Sequence, residues 1–454
     1  MDKELTVEQA LKLAVKKHNE GRINEAEIIY REILNKNPNN SEALHLLGLI
    51  AHQTGDSANA INLINKAIKS NPNIAIYYNN LGMIYDTLKK EEESTKNFNE
   101  ALEVDPNHLN AHLAHYNLGV SLMNNGKILE ALEHYDKAVK LNKNFFDASW
   151  NKSLILLLLG RFKEGWIDYE SRFKKKNPSD SRNFNNPKWN GSDLKEKKIL
   201  IVSEQGFGDN IQFIRYIPLI KEKGAYIILE CKKELIDLFS QIKEIDEIIE
   251  RGNNQIENVK IDYYIHLMSL PKIFNTNLGN IPNNTPYLKA DFKLVEKFKP
   301  KFKTNKFNIG IVWAGNPLQD NDKNRSTTFE KFKSLKIPDV VFFSLQKGDA
   351  SKQLNDPEII DIADEINDFN DTAAVIENLD LIISVDTSVA HLAGAMAKPT
   401  WTLLSFIPDW RWLIDRTDSP WYPSMKLFRQ KKLGDWDSLF NEVSKELKKI
   451  SRKF

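Results

Sequence analysis

Two periods of apolar residues divide the 454-residue chain. Up to about Lys174 the apolar positions recur at helical spacing, in segments a few turns long. Within this half, Ala26, Tyr30 and Pro38 return as Ala60, Ile64 and Pro72, and then as Ser94, Phe98 and Pro106, a step of 34 residues. Gly48 and Gly82 share one slot in successive units, where a side chain would hold two helices apart. Ala67 and Ala101 fall near the end of each second helix, and Tyr85 falls on an inner one. After Lys174 the period changes to strand-like runs: KILIVS, YIILEC, YYIHLM, NIGIVW, VVFFSL, LIISVD and TWTLL, mostly separated by helical stretches. Continuous apolar strands alternating with helices predict parallel sheets covered on both faces.

The helical half resembles the tetratricopeptide repeat, since spacing and residue size agree together. A fourth unit follows with Gly119, Ala131, Tyr135 and Ala138, with three extra residues before it and Lys143 in place of proline. A degenerate fifth unit runs over 146–173 and ends GWIDYESRF. Such arrays stack into a superhelix whose concave face usually holds an extended peptide or another protein; otherwise it only spaces or dimerises the second half of the chain. The polar, Asn- and Pro-rich stretch after it reads as a linker. The rest is long enough for two doubly wound lobes, with a break near Pro300–Asn305. The expected fold is therefore an all-α TPR superhelix followed by an α/β GT-B fold of two Rossmann-like lobes. The expected boundaries are repeats over 1–173, linker over 174–196, N-terminal lobe over 197–303, and C-terminal lobe with a closing helix over 304–454.

Composition narrows the partners. Lys+Arg 63 against Asp+Glu 62 leaves a net charge of +1, so no global field recruits nucleic acid or an anionic membrane. Cys231 is the single cysteine, which excludes an intrachain disulfide and makes a zinc cluster a poor expectation. The N-terminal MDKELTVEQALKLAVKK lacks an apolar signal core, and the greasiest run, Leu154–Leu159, is too short to span a bilayer. A cytoplasmic location is the expectation, with peripheral membrane contact left open.

In open α/β sheets the chemistry belongs at the carboxyl ends of the strands. Three loops there carry unusual residues. Glu204-Gln205-Gly206-Phe207-Gly208-Asp209 pairs two glycines, which let backbone approach a ligand, with a carboxylate at a helix start, where it also serves as a cap. Trp313-Ala314-Gly315-Asn316-Pro317 leads into Asn321–Ser326, which brings the Arg325 guanidinium, a two-oxygen donor suited to a diphosphate. Asp320-Asn321-Asp322 also spells D-x-D, a metal-holding pattern in other architectures; no metal is expected here. In SVDTSVAHLAGA, strand-end Asp386 precedes a helix opening with Thr387 and Ser388, and His391 sits one turn in. Unpaired N–H groups at such a helix start favour an anion.

With these residues in place, the second half resembles the glycosyltransferase family 9 (heptosyltransferase-like) domains that occur joined to tetratricopeptide repeats. The stretches that carry the resemblance are GWIDYESRF, PKWNG, EQGFGDNIQFIRYIPL, GIVWAGNP with NDKNRS, FFSLQKG, SVDTSVAHLAGAMAKPTW, PDWRWL and DSPWYPSMKLFRQ with GDWD. The repeat-plus-GT-B layout is also similar to protein O-GlcNAc transferases. The resemblance implies inverting, metal-independent transfer of a hexose- or heptose-like sugar from a nucleotide-diphosphate donor, without a cofactor, to a protein or glycan hydroxyl. Asp209 matches the general base, with Glu204 in reserve. Gly208, Gly315, Asn316, Arg325, Gln346, Lys347, Asp386, Thr387, Ser388 and His391 form the implied donor site. Read from the residues alone, Trp410, Arg411 and Trp412 either wall the base or the acceptor or serve as inter-lobe packing. Thr327-Thr328-Phe329 and Gln319 depart from the family pattern. A non-catalytic scaffold that senses nucleotide and a sugar-nucleotide epimerase are the alternatives.

Overall fold

The computed structural model describes residues 5–106, 111–252, 259–303, 305–319 and 321–451. They form two compact units, 1–152 and 153–454.

The first unit is a stack of antiparallel helix pairs: α1 Val7–Asn19, α2 Ile23–Lys36, α3 Ser41–Gln53, α4 Ser57–Ser70, α5 Ala75–Thr87, α6 Glu91–Val104, α7 Ala111–Asn124 and α8 Ile128–Leu141. Each helix packs on the next, so the recurring small and aromatic positions meet in a continuous superhelical core. Ala60, Ile64 and Ala67 of α4, for example, close over Leu44 and Ala51 of α3 and over Leu81 and Ile84 of α5. The shared glycine slot is a close-approach point. A Cβ on Gly82 would come within 2.8 Å of the Phe98 ring.

The second unit begins inside α9 (Phe146–Leu158) and takes in α10 (Phe162–Tyr169) with its 3-10 turn Glu170–Phe173. This differs from the expected boundary at 173. The reason is that Trp166 donates its indole N–H to the Thr276 carbonyl (3.0 Å) and Arg172 forks onto Glu204, contacts no repeat core supplies. The segment expected as a linker is likewise packed. Trp189 and Leu194 are buried, and Trp189 N–H bonds the Tyr264 carbonyl (2.8 Å) along a sheet edge.

The N-terminal lobe holds β1 (Lys198–Val202), α11 (Phe207–Phe213), β2 (Tyr226–Cys231), β3 (Glu247–Glu250) and β4 (Tyr263–His266) in a parallel sheet of order β3-β2-β1-β4. The C-terminal lobe has a parallel sheet of order β10-β9-β8-β5-β6-β7. Its strands are β5 (Phe307–Val312), β6 (Val340–Ser344), β7 (Ile360–Asp361), β8 (Leu381–Val385), β9 (Thr400–Leu404) and β10 (Met425–Arg429). Between them run α12 (Phe369–Glu377) and α13 (Ser388–Ala395), and α14 (Trp436–Ser451) closes the lobe by burying Leu439, Phe440, Val443 and Leu447 in its core. β8 and β9 are buried end to end, as strands covered on both faces require. Among the described residues, no helix is long and apolar enough to cross a membrane.

Candidate active site

A cleft of about 1000 Å³ lies between the lobes, at the top of the usual range for ligand pockets. It is lined by 205–209 and Lys232 from one lobe, and by Gly315, Arg325, Gln346, Lys347, Asp386–Ser388, His391, Asp409 and Arg411 from the other.

Asp209 stands in the first turn of α11. Its Oδ2 accepts the Gly206 N–H (2.8 Å), so it does cap the helix, and its other oxygen accepts Arg411 Nη2 from the opposite lobe. Arg411 also donates to Asp409 (2.8 Å) and to Gln212 Oε1 (2.5 Å). Burial pushes the Asp209 carboxyl up, while the Arg411 guanidinium and the Gly206 amide pull it down.

Arg325 is aimed by its own loop. Its Nε donates to Asp322 (3.1 Å) and its Nη1 to the Asp386 carbonyl (3.1 Å), while Ser326 Oγ donates to Asp322 and accepts the Gly315 N–H. A Cβ on Gly315 would meet Arg325 Nη2 at 2.5 Å and Asp322 Oδ1 at 2.6 Å, so a side chain there would displace this pair. Asp322 of the D-x-D stretch is thus spent on arginine and serine; Asp320 lies outside the described residues.

At the third loop, Thr387 makes no cap hydrogen bond; its hydroxyl pairs with Ser384 Oγ (2.9 Å), at the start of α13. His391 is buried, with Nδ1 on the Tyr422 hydroxyl (2.9 Å), Nε2 3.8 Å from Asp386, and its ring stacked on Trp412. Burial, then Arg411, Arg215 and Arg325, hold its pKa well below the usual histidine range, so the ring is neutral. Burial and the neighbouring Asp409 push the Asp386 carboxyl up to about 6, against the pull of Arg325.

Gly208 sets how closely the lobes approach: a Cβ there would lie 2.7 Å from His391 Cδ2. His391 is pinned between Tyr422 and Trp412 and cannot yield. Gly208→Ala is therefore expected to cost about 1–3 kcal/mol through overpacking, read as a lower thermal midpoint. An unchanged midpoint would show that the lobes separate freely.

One expected role needs correction, and two residues of the implied donor site are tied to protein partners. Glu204 is fully buried and does not line the cleft; both its oxygens accept from Arg172 (2.8 and 2.9 Å), so it is no base. Gln346 faces the cleft, but its amide is consumed by Trp313 N, Ala314 N, Ala314 O and Lys347 O, clipping two loops together. Lys347 spends its ammonium on the Ala363 and Ile366 carbonyls (2.7 and 2.5 Å). Asn316 lines the cleft and accepts the Leu318 N–H (3.0 Å).

Parts of the chain are similar to known proteins. Residues 41–74, 75–108 and 112–145 match models of the tetratricopeptide repeat, and residues 350–413, which include Asp386 to Arg411, match Glycosyltransferase family 9 (heptosyltransferase). Three segments of the first half thus match tetratricopeptide repeats, and one segment of the second half matches the family 9 model. Across 445 residues it is 26% identical to Protein FlbA of Caulobacter vibrioides, covering 90% of this chain and 73% of that one. It is also 26% identical over 250 residues to Protein O-mannosyl-transferase TMTC3 of Homo sapiens, covering 52% of this chain and 26% of that one. Among solved structures, pilF of Pseudomonas aeruginosa overlaps 36% of this chain and 74% of its own, at 21% identity and a TM-score of 0.35.

The cleft and its walls also hold residues to which sequence reasoning gave no definite role. Arg411 was visible only as a cation between two tryptophans; its partner lies 202 residues away. Tyr422 and Asp409 gave no sign of their destinations. Lys232 reaches the Gln205 carbonyl (3.1 Å) beside the Phe207 ring, which meets Phe369 of the other lobe at 4.9 Å.

Proposed function

We propose that the protein moves a sugar from a nucleotide-diphosphate donor to an acceptor hydroxyl, with inversion and without a metal, and that its repeats recruit the acceptor or a partner protein. The observation that supports this most is the convergence on one cleft of the Asp209 carboxylate from one lobe with Arg325 and the start of α13 from the other. In this reading Asp209 takes the acceptor proton as the acceptor oxygen bonds the anomeric carbon, and the carbon–phosphate-oxygen bond breaks with its electron pair passing to the diphosphate. Arg325 and the N–H groups of Thr387 and Ser388 meet the charge gathering there. Neutral His391 offers one N–H and one lone pair, and Tyr422 decides which faces the cleft. Incubation with a panel of nucleotide sugars tests the proposal. Free nucleoside diphosphate is expected only when an acceptor-containing extract is added. An isomerised donor, or binding without turnover, would point to an epimerase or a scaffold instead.

The elevated Asp386 carboxyl predicts a pH dependence. While protonated it is neutral beside the incoming diphosphate; once ionised it repels it, so binding favours proton uptake and affinity falls as pH rises through about 6. A nucleotide sugar is the right probe, since its two phosphates do not titrate in this range. Its affinity is expected to weaken severalfold between about pH 5.5 and 7.5 by this linkage, and Asp386→Asn to flatten the profile. A flat wild-type profile would contradict the assignment.

A further inference from the structure

Behind the loop that carries Asp209 stands a helix with no side chain in the cleft. Arg172, in the 3-10 turn that continues α10, is fully buried. It donates to both oxygens of Glu204, to Ser269 Oγ (2.8 Å) and to Glu170 (2.7 Å). The Glu204 carbonyl in turn accepts from Asn210 of α11 (3.1 Å). One turn earlier, the Tyr169 hydroxyl accepts from Gln205 Nε2 (3.2 Å). Glu204 and Gln205, the two residues that open the loop, are thus each held by a side chain of this one element. The same helix supports the other half of the site. Trp166 and Tyr169 pack their rings on Trp410, at 5.2 and 6.2 Å between centroids, and Trp410 immediately precedes Arg411. Both members of the Asp209–Arg411 pair therefore rest on α10.

We propose that α10 and its 3-10 turn, which follow α9 in the chain, are a working part of the transfer site, with Tyr169 and Arg172 as positioning residues that fix where Asp209 and Arg411 meet. The proposal rests on the reading of Asp209 as the base. A buried arginine–glutamate pair is a poor source of net stability compared with an apolar filling, because both charges must be desolvated. It does impose one geometry on the loop, since a bidentate fork tolerates little rotation.

The test uses the full chain with Tyr169→Phe, Arg172→Lys and Arg172→Met, reading amide hydrogen exchange over 204–210 and steady-state kinetics with a nucleotide sugar. Tyr169→Phe removes only a hydroxyl and should fold as the wild type does. Its loop amides are expected to exchange about fivefold faster, and its kcat to fall about fivefold at unchanged donor KM, the scale of one lost hydrogen bond. Arg172→Lys should keep more kcat than Arg172→Met. Wild-type exchange and wild-type kcat in Tyr169→Phe would overturn the proposal, as would a KM that rises in step with the loss of kcat. Should the wild type turn over no nucleotide sugar, the transferase reading falls by itself. Hydrogen exchange then still decides the positioning role, with faster exchange upholding it and unchanged exchange rejecting it.

Discussion

Asp209→Asn is expected to lower kcat about a thousandfold, the middle of the range for a positioned general base, while nucleotide diphosphate binds within about twofold of wild type. Asparagine keeps an oxygen for the Gly206 N–H. Its amide then turns a donor toward Arg411, so part of any loss could come from a displaced guanidinium. Asp209→Glu separates the two contributions. It retains the charge for Arg411 but moves the oxygens by one methylene, and its turnover should fall clearly while its thermal midpoint stays near wild type. Near wild-type transfer by the asparagine variant would remove Asp209 from the chemistry and leave it as a helix cap.

Arg325→Met should have the second largest effect. Its guanidinium is held at Nε by Asp322 and at Nη1 by the Asp386 carbonyl, in the wall of the cleft and beside the α13 start. Loss of a preorganised donor to a leaving diphosphate is expected to cut kcat/KM roughly a hundredfold or more. The signature that distinguishes phosphate contact from loop support lies in binding. Affinity for a nucleoside diphosphate should fall about tenfold, as expected for one charged hydrogen bond, while affinity for the nucleoside without phosphates stays unchanged. Equal losses for both ligands would mean that Arg325 only braces its loop.

What could be read from the sequence depended on how local each constraint is. The 34-residue step is legible because Ala60, Ile64 and Gly48 answer to neighbours in the same or adjoining repeat, where size alone is selected. The loops are legible because a parallel sheet places its carboxyl ends on one edge, so unusual residues after Val312 and Val385 had to share a neighbourhood, while the loop after Val202, from the other sheet, meets them across the cleft. Long-range pairings were not legible. Glu204 carries the same carboxylate as Asp209, and only the burial of Arg172 against it shows that it is structural. The stretch around Trp189 has linker composition, yet its apolar anchors find a sheet edge formed by Tyr264. Gln346 looked like a ligand-binding amide because its four backbone partners are supplied by three residues, two of them more than thirty positions earlier.

The most direct measurement is a crystal structure of the full chain soaked with a nucleoside diphosphate. The phosphates are expected between Arg325 and the amides of Thr387 and Ser388, with the terminal phosphate toward Asp209. Phosphates seated elsewhere, or a nucleotide that leaves this cleft open to solvent, would contradict the account.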